Sequence, residues 1–565
     1  MNLQAIEPRL RREYQHVKVG QLGSAQLGAN LMRSLRLPLA FSLSAMILPL
    51  AALGRPSAQT PTSTATHSAL YWAQPHTVTT EGAVTVGGER IHYTADAGTL
   101  VLRDQSNRPT SEIFYVAYFK DGVKTTGRPI AFLFNGGPGS SSSLLLMGAF
   151  GPVLVITSSA GDAAPYQLVD NEDSLLDASD LVFVDAVGTG FSRILGKDEG
   201  GVGTPKMFYG VDADAKSFAQ FVEQFLSKYG RWNSPKFLVG QSYGATRSAT
   251  LAYVLEQDNM IPLNGVVLMG TSLALDTSEN QPNFNPGINL PYALALPSYA
   301  AAAWYHKVLP RQPDKLSAWL DEVQAWAMGP YLAALQRGAM LSQADKERIA
   351  VRMSRYTGLP ESYLLSANLR VTGPEFEHEL LREQGKTTSS LDARFVGPII
   401  DPLSEYAEYD PQLGYLTWAY TAGVNEYIRR TLRFGGEDEY VFYAPEIGSD
   451  WDWLHTPPGQ DAPAYTGTNV MPDLAAEMTE NPQLRVMLNA GYFDLDTPYY
   501  AAVYQMQQLP IPQTLQKNIE YRFYRTGHMI YMTPGALSQL HDNIAQFMRG
   551  TSARTEPAPS ARDGP

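Results

Sequence analysis

The most regular pattern of apolar and polar positions lies between residues 77 and 270. From Thr77 to Leu102 apolar residues alternate with polar ones around Gly87-Gly88 and Ala97-Gly98, with Val84, Val86, Ile91 and Tyr93 on one face. That period of two predicts antiparallel hairpins, and Ile113 to Phe119 continues it. Four short, nearly continuous apolar runs then follow: Ile130 to Phe134, Leu181 to Val184, Phe237 to Val239 and Val266 to Met269. Such runs suit parallel strands covered on both faces. Between them, Asp212 to Tyr229 sets Phe218, Phe221, Val222, Phe225 and Leu226 on one helical face, with Asp212 as the predicted N-cap. Ala245 to Glu256 is a second breaker-free helix. Strands alternating with helices predict an α/β class with a mostly parallel sheet.

After Leu273 the rhythm changes. Residues 275–475 are rich in Trp, Tyr and Pro, with helical stretches at Lys315 to Gln336 and Gln343 to Arg355. This reads as a mainly helical cap inserted into the core. Strand patterns resume at Leu484 to Leu488 and Tyr521 to Tyr524, and Ala536 to Met548 predicts a closing helix. The expected organisation is therefore core at 77–274, cap at 275–475, core again at 476–550 and a disordered tail at 551–565. Residues 59–76, rich in Thr, Ser and Pro, are an expected flexible lead-in.

The first 58 residues differ again. Arg33 and Arg36 precede an almost uncharged run, Leu37 to Leu53, followed by Gly54-Arg55-Pro56-Ser57-Ala58. A positive flank, an apolar centre and small residues have the form of a secretory signal, with Met32 as the expected start. Seventeen residues broken by Pro38 and Pro49 are short for a permanent membrane span. The expected location is secreted or periplasmic.

Composition narrows the chemistry. The 565 residues are 44% hydrophobic and 11% aromatic, the make-up of an ordered globular chain. The net charge of -13 argues against nucleic acid and anionic membranes as partners. The absence of cysteine excludes disulfides, thiolate metal sites and a cysteine nucleophile.

One pentapeptide supplies a nucleophile. Gly240-Gln241-Ser242-Tyr243-Gly244 is a G-x-S-x-G pattern between a predicted strand and a predicted helix, the context of a nucleophile elbow. Serine needs a base, an orienting carboxylate and oxyanion donors. Asn135-Gly136-Gly137-Pro138-Gly139 follows a strand and exposes backbone N–H groups, but lacks the lysine of a phosphate-binding loop. In α/β-hydrolases the order is Ser, then Asp or Glu, then His. Beyond the resumed strands lie His541, inside the closing helix, and His528, in a strand-to-helix loop; His528 is the expected base. Two carboxylates leave the preceding strand. Asp494 is nearer its tip, and Asp496 is better placed to cap the next helix.

Together these residues resemble the serine carboxypeptidase family, in particular its bacterial secreted members. The resemblance spans about residues 80 to 548. It rests on Phe134 to Ser142, Met147 to Pro152, Val184-Asp185-Ala186-Val187-Gly188-Thr189-Gly190-Phe191-Ser192, Gly240 to Gly244, Gly491 to Asp494 and Gly527-His528-Met529. It implies an α/β-hydrolase fold, with a mostly parallel sheet, flanking helices and the helical cap. It implies Ser242 as nucleophile, His528 as base and Asp494 as orienter, with Gly137 and Tyr243 N–H groups forming the oxyanion hole.

The resemblance further implies peptide substrates with a free C-terminus, gripped near Asn135 and Gly136, and no metal or organic cofactor. Two acidic residues usually assist the grip in eukaryotic members; here Gln241 and Ala149 stand at those positions. Gln241 donates through its amide at any pH, so carboxylate binding is expected to lose its acidic preference. An esterase or acyltransferase on the same scaffold, or a silent binding protein, are the competing expectations.

Overall fold

The computed structural model describes residues 75–157, 163–277, 286–464 and 467–553. The signal-like segment, most of the lead-in and residues 554–565 lie outside the described residues.

Among those residues a ten-stranded sheet forms the centre. Its nine longer strands are β1 (Thr77–Val86), β2 (Glu89–Arg103), β3 (Pro109–Lys120), β4 (Ile130–Phe134), β5 (Asp180–Val184), β6 (Lys236–Gln241), β7 (Gly265–Met269), β8 (Arg485–Gly491) and β9 (Ile519–Tyr524). They lie side by side in the order β1-β2-β3-β5-β4-β6-β7-β8-β9. The first three pair antiparallel, β3 joins β5 antiparallel, and every pair from β5 to β9 is parallel. The period-two segment is thus the antiparallel end, and the continuous apolar runs are the doubly covered interior.

Alternate residues of each inner strand feed two cores. Leu133, Phe237 and Val239 face one core with helix α9 (Pro534–Ala553), which contributes Leu537, Leu540 and Ile544. Phe132, Phe134 and Leu238 face the other. Helices α1 (Val211–Lys228), α2 (Tyr243–Gln257), α7 (Met471–Glu480) and α8 (Tyr499–Gln507) cover that second face.

Between β7 and α7 the chain builds a mostly helical layer. It includes α3 (Leu290–His306), α4 (Leu316–Trp326), α5 (Gln343–Thr357) and α6 (Pro411–Glu426). A third core joins α3, α4 and α5 to Ala490, Phe493, Leu495 and Tyr499 of the sheet's far end.

Two local expectations are corrected. Asp212 is not the N-cap of α1; Gly210 is, and Asp212 sits in the first turn with its carboxylate on His455 Nδ1 at 2.6 Å. A tertiary partner there outbids the local backbone donors. Asp496 does not cap α8 either, because Pro498 occupies the N-cap and no side-chain cap bond forms.

Candidate active site

Strand β6 ends at Gln241, and Ser242 turns the chain into α2 with φ 58° and ψ -130°. A non-glycine residue at positive φ costs on the order of 1–3 kcal/mol, so the surroundings must enforce it. They do. The Ser242 N–H donates to Met269 O at 2.9 Å. A methyl group at Gly240 would strike Gly244 O and Ser248 Oγ, and one at Gly244 would come within 2.7 Å of Phe134 O. Both flanks admit only glycine, which is the physical content of the pentapeptide.

His528 lies in the loop after β9. Its Nδ1 meets Asp494 Oδ2 at 2.9 Å, and a methyl group at Gly270 would come within 2.7 Å of its ring. Gly270 follows Met269, whose carbonyl holds Ser242, so the imidazole lies beside the elbow. Gln241, the residue before Ser242, donates from Nε2 to His528 O at 3.3 Å. Asp494, not Asp496, takes Nδ1 in this way. Burial raises the Asp494 carboxyl above the ordinary carboxylate range, and His528 and Thr497 offset part of that rise. Thr497 donates from N to Asp494 Oδ1 at 2.8 Å and from Oγ1 to Oδ2 at 2.6 Å.

The cap segment holds this loop in place. His528 N donates to Leu391 O at 2.6 Å, and Gly527 N donates to Asp392 Oδ2 at 3.0 Å. Arg394 pairs with Asp392 at 2.6 Å and donates to Arg525 O, Thr526 Oγ1 and Thr533 Oγ1, each at 2.9 Å. A methyl group at Gly527 would overlap Leu391 O.

The glycine-rich loop after β4 reaches the same place. A methyl group at Gly136 would overlap the backbone N of Tyr243, so the glycine lets the two loops touch. Gly137 has φ 108°. Asp185, the acidic member of the 184–192 motif, braces the loop by accepting from Ser142 N at 2.7 Å; burial pushes its carboxyl up to about 6.

Asn135 and Gln241 are buried together. Asn135 Nδ2 donates to Gln241 Oε1 at 2.7 Å, and the Tyr531 hydroxyl donates to the same oxygen at 2.8 Å. The Asn135 carbonyl accepts from Arg247 Nη1 at 2.8 Å, and Arg247 Nε donates to Asp214 Oδ2 at 2.6 Å in a buried ion pair. Tyr243 packs edge-on against Trp451 and Trp453, with ring centroids 5.1 and 6.0 Å away. Ala149 is fully buried.

Thr497, Tyr531, Arg247 and the Asp392–Arg394 pair were not anticipated. Two had a sequence signal: a Thr three residues after an Asp, and an arginine that is the one charged residue in the first three turns of the helix after Ser242. The cap pair had none, since its partners lie more than 130 positions away.

Residues 94–286 match the family described as serine carboxypeptidase. That match takes in about a third of the chain. Over 206 residues it is 28% identical to the pheromone-processing carboxypeptidase KEX1 of two Saccharomyces cerevisiae strains, JAY291 and S288c. That alignment takes in 35% of this chain and 27% of each relative, so the match spans about a quarter of the relatives' length. The crystal structure of Kex1(delta)p, a prohormone-processing carboxypeptidase from the same yeast, superposes with a TM-score of 0.51. It covers 81% of this chain and 91% of the other at 16% identity, which establishes a shared α/β-hydrolase fold. The serine carboxypeptidase family match ends at residue 286 and so includes the elbow and the glycine-rich loop; Asp494 and His528 lie beyond it.

Proposed function

We propose that the protein is a serine carboxypeptidase that removes C-terminal residues from peptides through an acyl-enzyme, in a secreted or periplasmic location. The observation that carries this reading is the buried Asp494–His528 hydrogen bond beside the strained Ser242 turn.

In the proposed mechanism His528 takes the Ser242 proton as Oγ attacks the scissile carbonyl. Asp494 accepts from Nδ1–H, which leaves Nε2 as the proton acceptor, and it stabilises the imidazolium that forms. Gly137 and Tyr243 N–H groups receive the oxyanion, each worth about 3 kcal/mol of barrier. His528 returns the proton to the leaving amine, and water then releases the acyl group by the same steps in reverse.

The substrate's terminal carboxylate is assigned to Asn135, Gly136 and Gln241. Gln241 Nε2 spends one N–H on His528 O, and its second is the assigned donor. Neutral amides suit this task because they neither repel the carboxylate nor need a proton from solvent.

Three substrates assayed side by side test the proposal: a blocked dipeptide, its C-terminal amide and a simple aryl ester. The acid should be cleaved in preference to the amide, and Ser242→Ala should abolish turnover while leaving the fold unchanged. Equal cleavage of acid and amide would reassign the protein as an esterase or acyltransferase. Failure of Ser242 to react with a fluorophosphonate would point instead to a binding protein.

A further inference from the structure

Strand β9 is the free edge of the parallel half of the sheet. Where α4 and α8 approach it, they leave a cavity of about 240 Å³. Tyr492 and Phe523 line it from the sheet side, Tyr499 from the start of α8, and Ser317, Asp321 and Gln324 from one face of α4.

The rings make a corner. Tyr492 stands at 86° to Tyr499 with centroids 5.1 Å apart and lies within 19° of parallel to Phe523 at 5.8 Å. Tyr499 and Phe523 meet at 77° and 5.9 Å. Gln324 Nε2 donates to the Tyr499 hydroxyl at 2.9 Å, which fixes that ring. Ring faces carry negative quadrupole potential, so a ring bordering the cavity can attract a cation.

Asp321 is the one charged residue of the lining among the described residues. Burial chiefly raises both the Tyr492 and the Tyr499 hydroxyl, and the Asp321 carboxylate adds to the rise in each, so it lies near both rings. Arg525 offsets part of that rise at Tyr492, and its guanidinium lies over Trp304, 5.7 Å from the ring centroid.

We propose that this corner binds a weakly hydrated organic cation, an alkylammonium or guanidinium group, against the rings of Tyr492 and Phe523, with the buried Tyr499 packed behind them and Asp321 as counter-charge. A neutral apolar guest gains nothing from the carboxylate, and an anion is repelled by it. A small, strongly hydrated metal ion would lose more water than ring faces return. The volume lies below the roughly 300–1,000 Å³ of sites for drug-sized ligands, so it fits one headgroup or one side chain. The site does not depend on the catalytic proposal.

Choline and its neutral isostere 3,3-dimethyl-1-butanol differ in charge but hardly in shape. Titrating both into the full-length protein, with saturation-transfer NMR or calorimetry as readout, tests the proposal. Choline should bind saturably and the isostere at least about tenfold more weakly. Asp321→Asn and Phe523→Leu should each weaken choline about threefold or more, with circular dichroism and melting unchanged. Equal binding of the two probes, no choline binding at about 100 mM, or wild-type binding in both folded variants would overturn it.

Discussion

His455 is a buried imidazole held between two aspartates, and its removal tests how the cap segment is tied to the core. Nδ1 meets Asp212 Oδ1 at 2.6 Å and Nε2 meets Asp473 Oδ2 at 2.8 Å. With an acceptor at each nitrogen, the ring is stable only as imidazolium. Burial alone would lower its pKa, but the two carboxylates reverse that and raise it to about 9. A rise from the ordinary 6.5 to about 9 corresponds to about 3 kcal/mol of folding stability. Because the folded pKa is the higher one, that stability is fully present below about pH 6.5 and lost as pH rises through about 9.

His455→Gln removes the charge and leaves the Asp473 carboxylate, 1% exposed, without its cation. The expected loss is about 3–5 kcal/mol at pH 6.5, narrowing to a small difference by about pH 10. Urea unfolding of both proteins at several pH values measures it, and groups common to both cancel in the difference. Parallel stability curves from pH 6.5 to 10 would refute a buried imidazolium.

Two further substitutions address the site. Gln241→Glu places a carboxylate beside the proposed substrate carboxylate, and its ionisation as pH rises should raise KM about tenfold or more between pH 5 and 8, with kcat less affected. A flat KM would remove Gln241 from the binding role. Arg394→Ala removes the ion pair that braces Asp392 against the His528 loop; kcat should fall by about tenfold or more while KM changes little. An unchanged kcat in steady-state assays would show that the brace is dispensable.

The sheet was readable because local physics and tertiary structure agreed there. Continuous apolar runs became doubly covered strands, and alternating ones became the antiparallel end. Helix α3 was hidden by Pro297 within it, a residue that locally argues for a break. The Asp212 cap failed because a histidine 243 positions away competes for the carboxylate. The same limit applies at the site. Ser242 announces itself through two glycines that sterics require, whereas the choice between Asp494 and Asp496 came from resemblance. Arg247 and Arg394 act across contacts that no local window contains.

The dependence of the His528 loop on Leu391 and Asp392 bears on how substrate reaches the serine. A lid that swung clear would take with it the carbonyl and carboxylate that anchor the imidazole's own backbone. On the proposed mechanism the insertion therefore has to stay seated during turnover, and substrate has to reach the serine with that contact closed. Grafting a foreign insertion onto this scaffold would have to rebuild that seam before any chemistry returned.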